Sequence, residues 1–300
     1  MVDLNYQNIT NVDEGGQLVT EGFSAEVLQL VESKSVCEPF LNVWPMNHKV
    51  ENVSTITEDA EAYFVTEALK KTKSKIEFGN FKMELQEIAT IIPFTEDWVK
   101  FANANTTTLL ENAIVKAITK LVDQSYLGYV AGPWENTISE SIPAANIIVY
   151  GTGEDLLVDL SNAMGKVEDA EYEPNGWAAP ISLKALLRNL RDMEGQLIFQ
   201  PGNATNPSTL YGLPIRFSGN MIDTGSPAGK EIIVGDWSRA YKGNDQAITF
   251  KMLTEATITL NDGTLLNLAE RDMVAIRAIV WKAFNVLRPD LGPFAKVTGF

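Results

Sequence analysis

The sequence predicts a mixed α+β fold. Three observations carry that expectation: a long two-armed hairpin over residues 51–84, a spine-length helix over Thr108–Val130, and a long apolar strand over Met273–Leu287. At 300 residues and 45% hydrophobic, the chain holds enough apolar side chains for one large or two medium cores. No internal repeat or low-complexity tract interrupts it.

Residues 1–22 are polar, contain Gly15-Gly16 and show no periodicity, which predicts an extended arm that frays unless something ties it down. From Phe23 to Trp44 the series Val27, Leu28, Val31, Val36, Phe40, Leu41 and Val43 predicts a short helix running into a strand that Pro45 ends. Residues 51–84 alternate apolar and polar along two arms, with Ile76, Phe78 and Phe81 on the return and a charged tip around Lys70, Lys71, Lys73 and Lys75. A lone two-stranded hairpin is marginal in water, and this one has too few large apolar residues for a core of its own. It therefore needs a surface, supplied by another part of the chain or by another subunit.

After Pro93, Thr95 is placed to cap a helix with Glu96 and Asp97 in its first turn, where negative charge suits the helix dipole. Thr108 and Glu111 form a Ser/Thr-x-x-Glu capping box ahead of Leu110, Ile114, Ala117, Ile118, Leu121 and Val122 at helical spacing. This helix is expected to stop near Tyr129 or Val130, before Gly132-Pro133, after about 21 residues or ~32 Å. Ile147–Tyr150 reads as a strand, and Asp155 as the cap of a helix turning Leu156, Leu157, Leu160, Met164 and Val167 inward. Trp177–Ala179 reads as a strand broken by Pro180, followed by a helix opened by Ser182 with Leu183, Leu186, Leu187 and Leu190 in the core. A turn at Glu194-Gly195 and a strand starting at Tyr211 and running to Ile215 follow. Glu231–Asp236 reads as a buried strand, Tyr241–Asn244 as a turn, and Asn261-Asp262-Gly263 as the turn between two strands. Met273–Leu287 places Val274, Ile276, Ala278, Val280, Phe284 and Val286 on one face, with Lys282 out of pattern; Arg288-Pro289 ends it, and a short apolar run spans Phe294–Val297.

A formal net charge of −15 disfavours a nucleic-acid-binding surface, because phosphate contact needs clustered Lys and Arg. Self-repulsion keeps such a chain dispersed. The single cysteine, Cys37, excludes an intrachain disulfide and reads as a small buried apolar residue. No basic segment followed by an apolar run opens the chain, and no stretch approaches the roughly 20 apolar residues of a membrane span, so a chain made and kept in a cytoplasm is expected.

His48 is the sole histidine, so a catalytic triad would have to use it; no Gly-x-Ser-x-Gly is present, and a Cys37-His48 dyad is the one nucleophilic pairing available. One His and one Cys confine metal sites to oxygen ligands, and Glu58-Asp59-x-Glu61 and Asp13-Glu14 lack the EF-hand register, so they read as solvated faces. Gly151-Thr152-Gly153 sits between a strand and a helix but lacks the third glycine of a dinucleotide fingerprint, and Glu154-Asp155 would repel a pyrophosphate. Nothing singles out a carboxylate pair for glycoside hydrolysis. Trp98, Trp134, Trp177, Trp237 and Trp281 are scattered and read as core. No catalytic, cofactor-binding or metal residue is nominated; a carboxylate-dependent hydrolase with a deep polar pocket is the reading kept from another class.

The stretch from Asn175 to Phe217, NGWAAPISLKALLRNLRDMEGQLIFQPGNATNPSTLYGLPIRF, carries Leu-Arg-Asp-x-x-Gly and then Leu-x-Gly-Leu-Pro, and resembles the A-domain of tailed-phage major capsid proteins with the HK97 fold. The order of arm, charged hairpin, long helix, mixed middle and terminal strand ending in Arg-Pro and then Phe-Ala-Lys-Val is similar to that family almost end to end. The resemblance implies an N-arm at 1–22, an E-loop at 51–84, a P-domain at 85–135 with 245–288 built on the spine helix Thr108–Val130, and an A-domain at 136–244 with 289–300. It also implies a non-enzymatic role: hexamers and pentamers assembled in the host cytoplasm into an icosahedral virion shell around double-stranded DNA, with no cofactor and no membrane. A separate scaffolding protein, a portal and head-completion proteins are the implied partners.

The implied inter-subunit contacts on the E-loop are Phe64, Glu67, Leu69, Lys70, Lys71, Lys73, Lys75 and Phe78. Some members carry a long scaffolding segment ahead of the shell fold, whereas Met1 precedes the E-loop by about fifty residues, implying a separately encoded scaffold or none. Some weld subunits through an E-loop Lys and a P-domain Asn; Glu270-Arg271-Asp272-Met273 offers no such Asn, Asn261 and Asn267 are guesses, and no autocatalytic cross-link is expected. An encapsulin-type cellular compartment keeps the fold and changes the contents.

Overall fold

The computed structural model describes residues 21–58, 62, 64, 76–97, 104–153, 155–191, 195–202, 207–221, 230–244, 248–260 and 263–300. Helix α1 (Glu21–Lys34) leads to β1 (Asn42–Pro45), the paired arms β2 (Val50–Glu58) and β3 (Glu77–Glu84), β4 (Gln86–Thr95) and the long helix α2 (Ala104–Leu127). Next come β5 (Ile147–Val149), α3 (Leu156–Glu168), β6 (Gly176–Pro180), the short α4 (Lys184–Arg188), β7 (Phe199–Gln200), β8 (Thr209–Leu210), β9 (Leu213–Ser218), β10 (Glu231–Gly235) and β11 (Ala240–Asn244). The chain closes with β12 (Thr249–Leu253), β13 (Thr257–Thr259), β14 (Leu265–Asn267), β15 (Met273–Val286) and β16 (Phe294–Thr298). Most of the expected arm, residues 1–20, lies outside the described residues, as do Trp98, Asn261 and Asp262; residues 21 and 22, also assigned to the arm, are the first of α1.

Two compact units divide the chain: Met1–Pro39, Gln86–Gln124 and Asp245–Lys282 form one, and Phe40–Leu85, Ser125–Asn244 and Ala283–Phe300 the other. In the first, β15 is the centre of the sheet. It pairs antiparallel with β4 from Met273↔Thr95 to Lys282↔Gln86, and with β12 from Ala275↔Leu253 to Ile279↔Thr249. Neither β4 nor β12 was assigned from the sequence. Pro93 obscures β4, yet among the described residues β15 is its one partner in the sheet, and an edge strand is where a proline is tolerated. β13 and β14 form the expected hairpin, with Gly263 at φ 81°.

Helix α2 starts at Ala104, so Thr108 lies four residues inside and the Thr108/Glu111 capping box does not mark the start. A side-chain cap contributes only about 1 kcal/mol, too little to fix a helix boundary by itself. The helix stops at Leu127, short of Tyr129, because Gly128 takes φ 84°; the carbonyls of Tyr126 and Leu127 then accept the N–H groups of Ile138 and Ser139. The inward face also differs. Ile114, Ile118 and Val122 are buried as expected, but Ala117 and Leu121 are exposed while Val115, Thr119 and Asp123 turn inward. Asp123 explains the rotation: its carboxylate accepts from Ser35 Oγ at 2.5 Å and from the Val36 N–H at 3.1 Å. Asp123 is buried together with its hydrogen-bond partner Ser35, 88 residues away in the chain.

In the second unit a seven-stranded sheet runs β5-β16-β10-β6-β9-β8-β7. β10 is buried throughout and pairs antiparallel with both β16 and β6. Leu156, Leu160, Ala163 and Val167 of α3, with Leu183, Leu187 and Leu190 around α4, pack in one core with Trp177, Ile232, Val234, Ala295 and Val297. The helix expected to open at Ser182 begins instead as a 3-10 turn over Ile181–Leu183, directly after Pro180. Tyr211 and Gly212 both take positive φ, 50° and 78°, making a two-residue hairpin turn that delays the strand start from Tyr211 to Leu213. Tyr241–Asn244 is not a turn: it is the bulk of β11, parallel to β1 in the register Asn42↔Tyr241 to Pro45↔Asn244. Its glycine serves close approach: a Cβ at Gly243 would meet Met46 Cγ at 2.8 Å and Ala283 Cβ at 2.9 Å.

Candidate functional site

The hairpin is fixed at its base and bare further out. β2 and β3 pair antiparallel from Val50↔Glu84 to Ile56↔Phe78, and a register shift then puts Glu58 opposite Glu77. The ribbon forms a two-stranded sheet of its own. At its base Phe81 and Met83 are buried, and Trp44, Phe81 and Tyr241 meet edge to face at centroid distances of 5.6–6.1 Å. The Glu51 carboxylate accepts the Asn47 N–H at 2.7 Å and the Trp44 indole N–H at 3.1 Å, which hold its carboxyl below the usual range, the Asn47 bond contributing most.

The two faces of the ribbon differ: Phe81 and Met83 on one face are buried, whereas Phe78 on the opposite face is 71% exposed. Ile56, directly opposite Phe78, is exposed, as is Ile76, and Phe64 is fully exposed. Of the contact residues expected from the sequence, Phe64 and Phe78 are therefore solvent-facing apolar groups. Glu67, Leu69, Lys70, Lys71, Lys73 and Lys75 lie outside the described residues. The anchoring trio was not read from the sequence, because Trp44, Phe81 and Tyr241 come from three distant segments and no spacing rule links them.

Of the residues weighed for other chemistries, Cys37 is buried and His48 is exposed. The Gly151-Thr152-Gly153 loop holds a carboxylate of its own helix: Asp159, wholly buried, accepts the N–H groups of Gly151 at 2.7 Å and Gly153 at 2.8 Å. Those donors are thus occupied, while Asp155, the expected side-chain cap of α3, makes no capping hydrogen bond. Among the described residues no group of three or more His, Cys, Asp or Glu is placed to hold an ion, and no helix is long and apolar enough to cross a membrane. Asp13, Glu14, Asp59 and Glu61 lie outside the described residues.

The profile of the Phage capsid family matches residues 15–298. The chain belongs to the phage capsid family. The major capsid protein of Staphylococcus phage 80alpha is 28% identical over 287 residues, covering 94% of this chain and 85% of its own length. A solved structure from Microbacterium phage Oxtober96 superposes with a TM-score of 0.72 at 25% identity, covering 90% of this chain and 92% of that one. Another, from Mycobacterium phage Adephagia, gives 0.70 at 24% identity over 100% and 99% of the two chains. The fold is the HK97-like capsid fold, as the sequence resemblance implies. Phage capsid family membership makes the chain a structural protein of the virion shell and not an enzyme, which sets aside the hydrolase reading, and the capsid relatives favour a phage head over a cellular cargo compartment.

Proposed function

We propose that the chain builds the head shell by laying its hairpin, the E-loop, across an adjacent copy. The observation that carries this reading is an uncovered apolar face, Phe78, Ile56 and Ile76, with Phe64 exposed beyond it, on a ribbon whose other face is buried at Phe81 and Met83. Full burial of such a side chain stabilises by about 1.5–3 kcal/mol, so a neighbour that covers the outer hairpin gains what an isolated subunit forgoes. The lysines at 70, 71, 73 and 75, set among Glu67, Glu77 and Glu84, would meet opposite charge on the neighbour and set register, since exposed pairs contribute under about 1 kcal/mol each. The reading includes a P-domain of 85–135 with 245–288 and an A-domain of 136–244 with 289–300, which the division of the chain near residues 124, 244 and 282 supports. It includes hexamers and pentamers closing around double-stranded DNA that an acidic chain would not grip, with a separate scaffolding protein, a portal and head-completion proteins as partners.

Phe78→Ser and Phe64→Ser test the contact. Each removes an apolar group that the single subunit leaves in water, so its melting temperature should stay within about 2 °C of the parent. Assembly should suffer instead: a loss of ~1.5–3 kcal/mol per contact raises the threshold concentration for shells roughly 10- to 150-fold, read by sedimentation and negative-stain microscopy. Unchanged thresholds for both variants would contradict the proposed contact.

A further inference from the structure

The Arg288-Pro289 step that closes β15 carries a backbone the sequence does not favour. Arg288 sits at φ 50°, ψ 61°, in the left-handed region, although the proline after it pushes this residue toward extended backbone. A non-glycine residue persists there only where its surroundings overdetermine it. Its guanidinium donates to the backbone carbonyl of Ile56 on β2.

Three residues earlier a second side chain reaches the other arm. Asn285, 6% exposed, donates from Nδ2 to the Lys82 carbonyl on β3 at 2.6 Å, while its Oδ1 accepts from Asn136 Nδ2 at 3.0 Å and from the Val286 N–H at 2.8 Å. Lys82 is paired with Asn52, and Ile56 lies four residues further along the same strand. The two grips therefore fall on different strands, about 13 Å apart along the ribbon. One attachment leaves a pivot; two, spaced this way, fix a direction. Both lie inward of exposed Phe78 or level with it.

We propose that Arg288 and Asn285 are positioning residues that set the direction in which the hairpin leaves the body, and through it the geometry of the subunit contact. The inference rests on the hairpin being that contact. Arg288→Gly removes the clamp and relieves the left-handed backbone, so it separates positioning from stability. Asn285→Asp keeps shape and acceptor but loses the donor to Lys82, and Arg288→Lys retains a cationic donor.

The test uses full-length protein. Arg288→Gly should melt no lower than the parent, while amide exchange over 50–58 and 77–84 in unassembled subunits rises by about tenfold or more. Well-formed shells should fall about tenfold in yield and give way to aberrant particles, with Asn285→Asp behaving alike and Arg288→Lys largely restoring shells. A merely structural role would lower the melting temperature of Arg288→Gly and leave hairpin exchange in step with the rest of the chain. Parental shells and exchange from both Arg288→Gly and Asn285→Asp overturn the clamp. If a hairpin lacking residues 60–75 fails to assemble in that case, the contact reading stands and only the clamp is lost; if it too forms parental shells, both fall.

Discussion

Deleting residues 60–75 is expected to abolish shells and to leave a folded subunit. Ile56 and Phe78 face each other in the ladder, so the deletion joins them through residues 57–59, 76 and 77, a connection of ordinary hairpin length. The anchoring contacts all lie inward of it: the Trp44, Phe81 and Tyr241 rings and buried Met83 are untouched. Because Ala62 and Phe64, the described residues within the deletion, are exposed in the lone subunit, the melting temperature should move by no more than about 2 °C. Assembly should be lost outright, since every copy in a closed shell loses its proposed hairpin contact. Parental particles from the deletion, seen by electron microscopy, would remove the hairpin from the assembly mechanism.

The second large effect is expected inside the first unit. Lys282, out of pattern in the β15 sequence, is fully buried and donates to Glu38 Oε1 at 2.8 Å, with the Glu38 carboxylate buried too. The Glu38 N–H donates to Ser35 Oγ, which in turn donates to Asp123, so one polar network joins the turn after α1 to α2 and β15. Lys282→Met leaves a buried carboxylate without its cation, and breaking such a pair costs about 3–5 kcal/mol. Against a typical total of roughly 5–15 kcal/mol, that loss should show as a strong fall in the denaturant midpoint and in soluble yield. Glu38→Met with Lys282→Met removes both charges and should return stability to within about 1 kcal/mol of the parent or raise it. A single variant as stable as the parent would show that the pair is not held in a dry interior.

The parts of the fold legible in the sequence were those written in local pattern. The β15 alternation, the α3 core positions Leu156, Leu160 and Val167, and the hairpin around residues 51–84 all emerge from periodicity. What failed was long-range. Ala117 and Leu121 were placed inward because nothing near α2 announces that Asp123 is satisfied by Ser35 and Val36. Tyr241–Asn244 was read as a turn because a parallel strand depends on β1, two hundred residues earlier in the chain. Phe64 and Phe78, expected as contacts, are exposed, whereas the side chains that touch the hairpin, Trp44, Tyr241, Asn285 and Arg288, come from segments with no shared motif and no local pattern points to them.

The central claim is that the hairpin becomes buried on another copy. Hydrogen–deuterium exchange over residues 50–84, compared between dissociated subunits and purified shells, tests it most directly. Shells should slow exchange on both arms and across the tip by about tenfold or more, while the β10 core strand exchanges equally slowly in the two states. Equal exchange over 50–84 in both states would show that the hairpin stays uncovered after assembly.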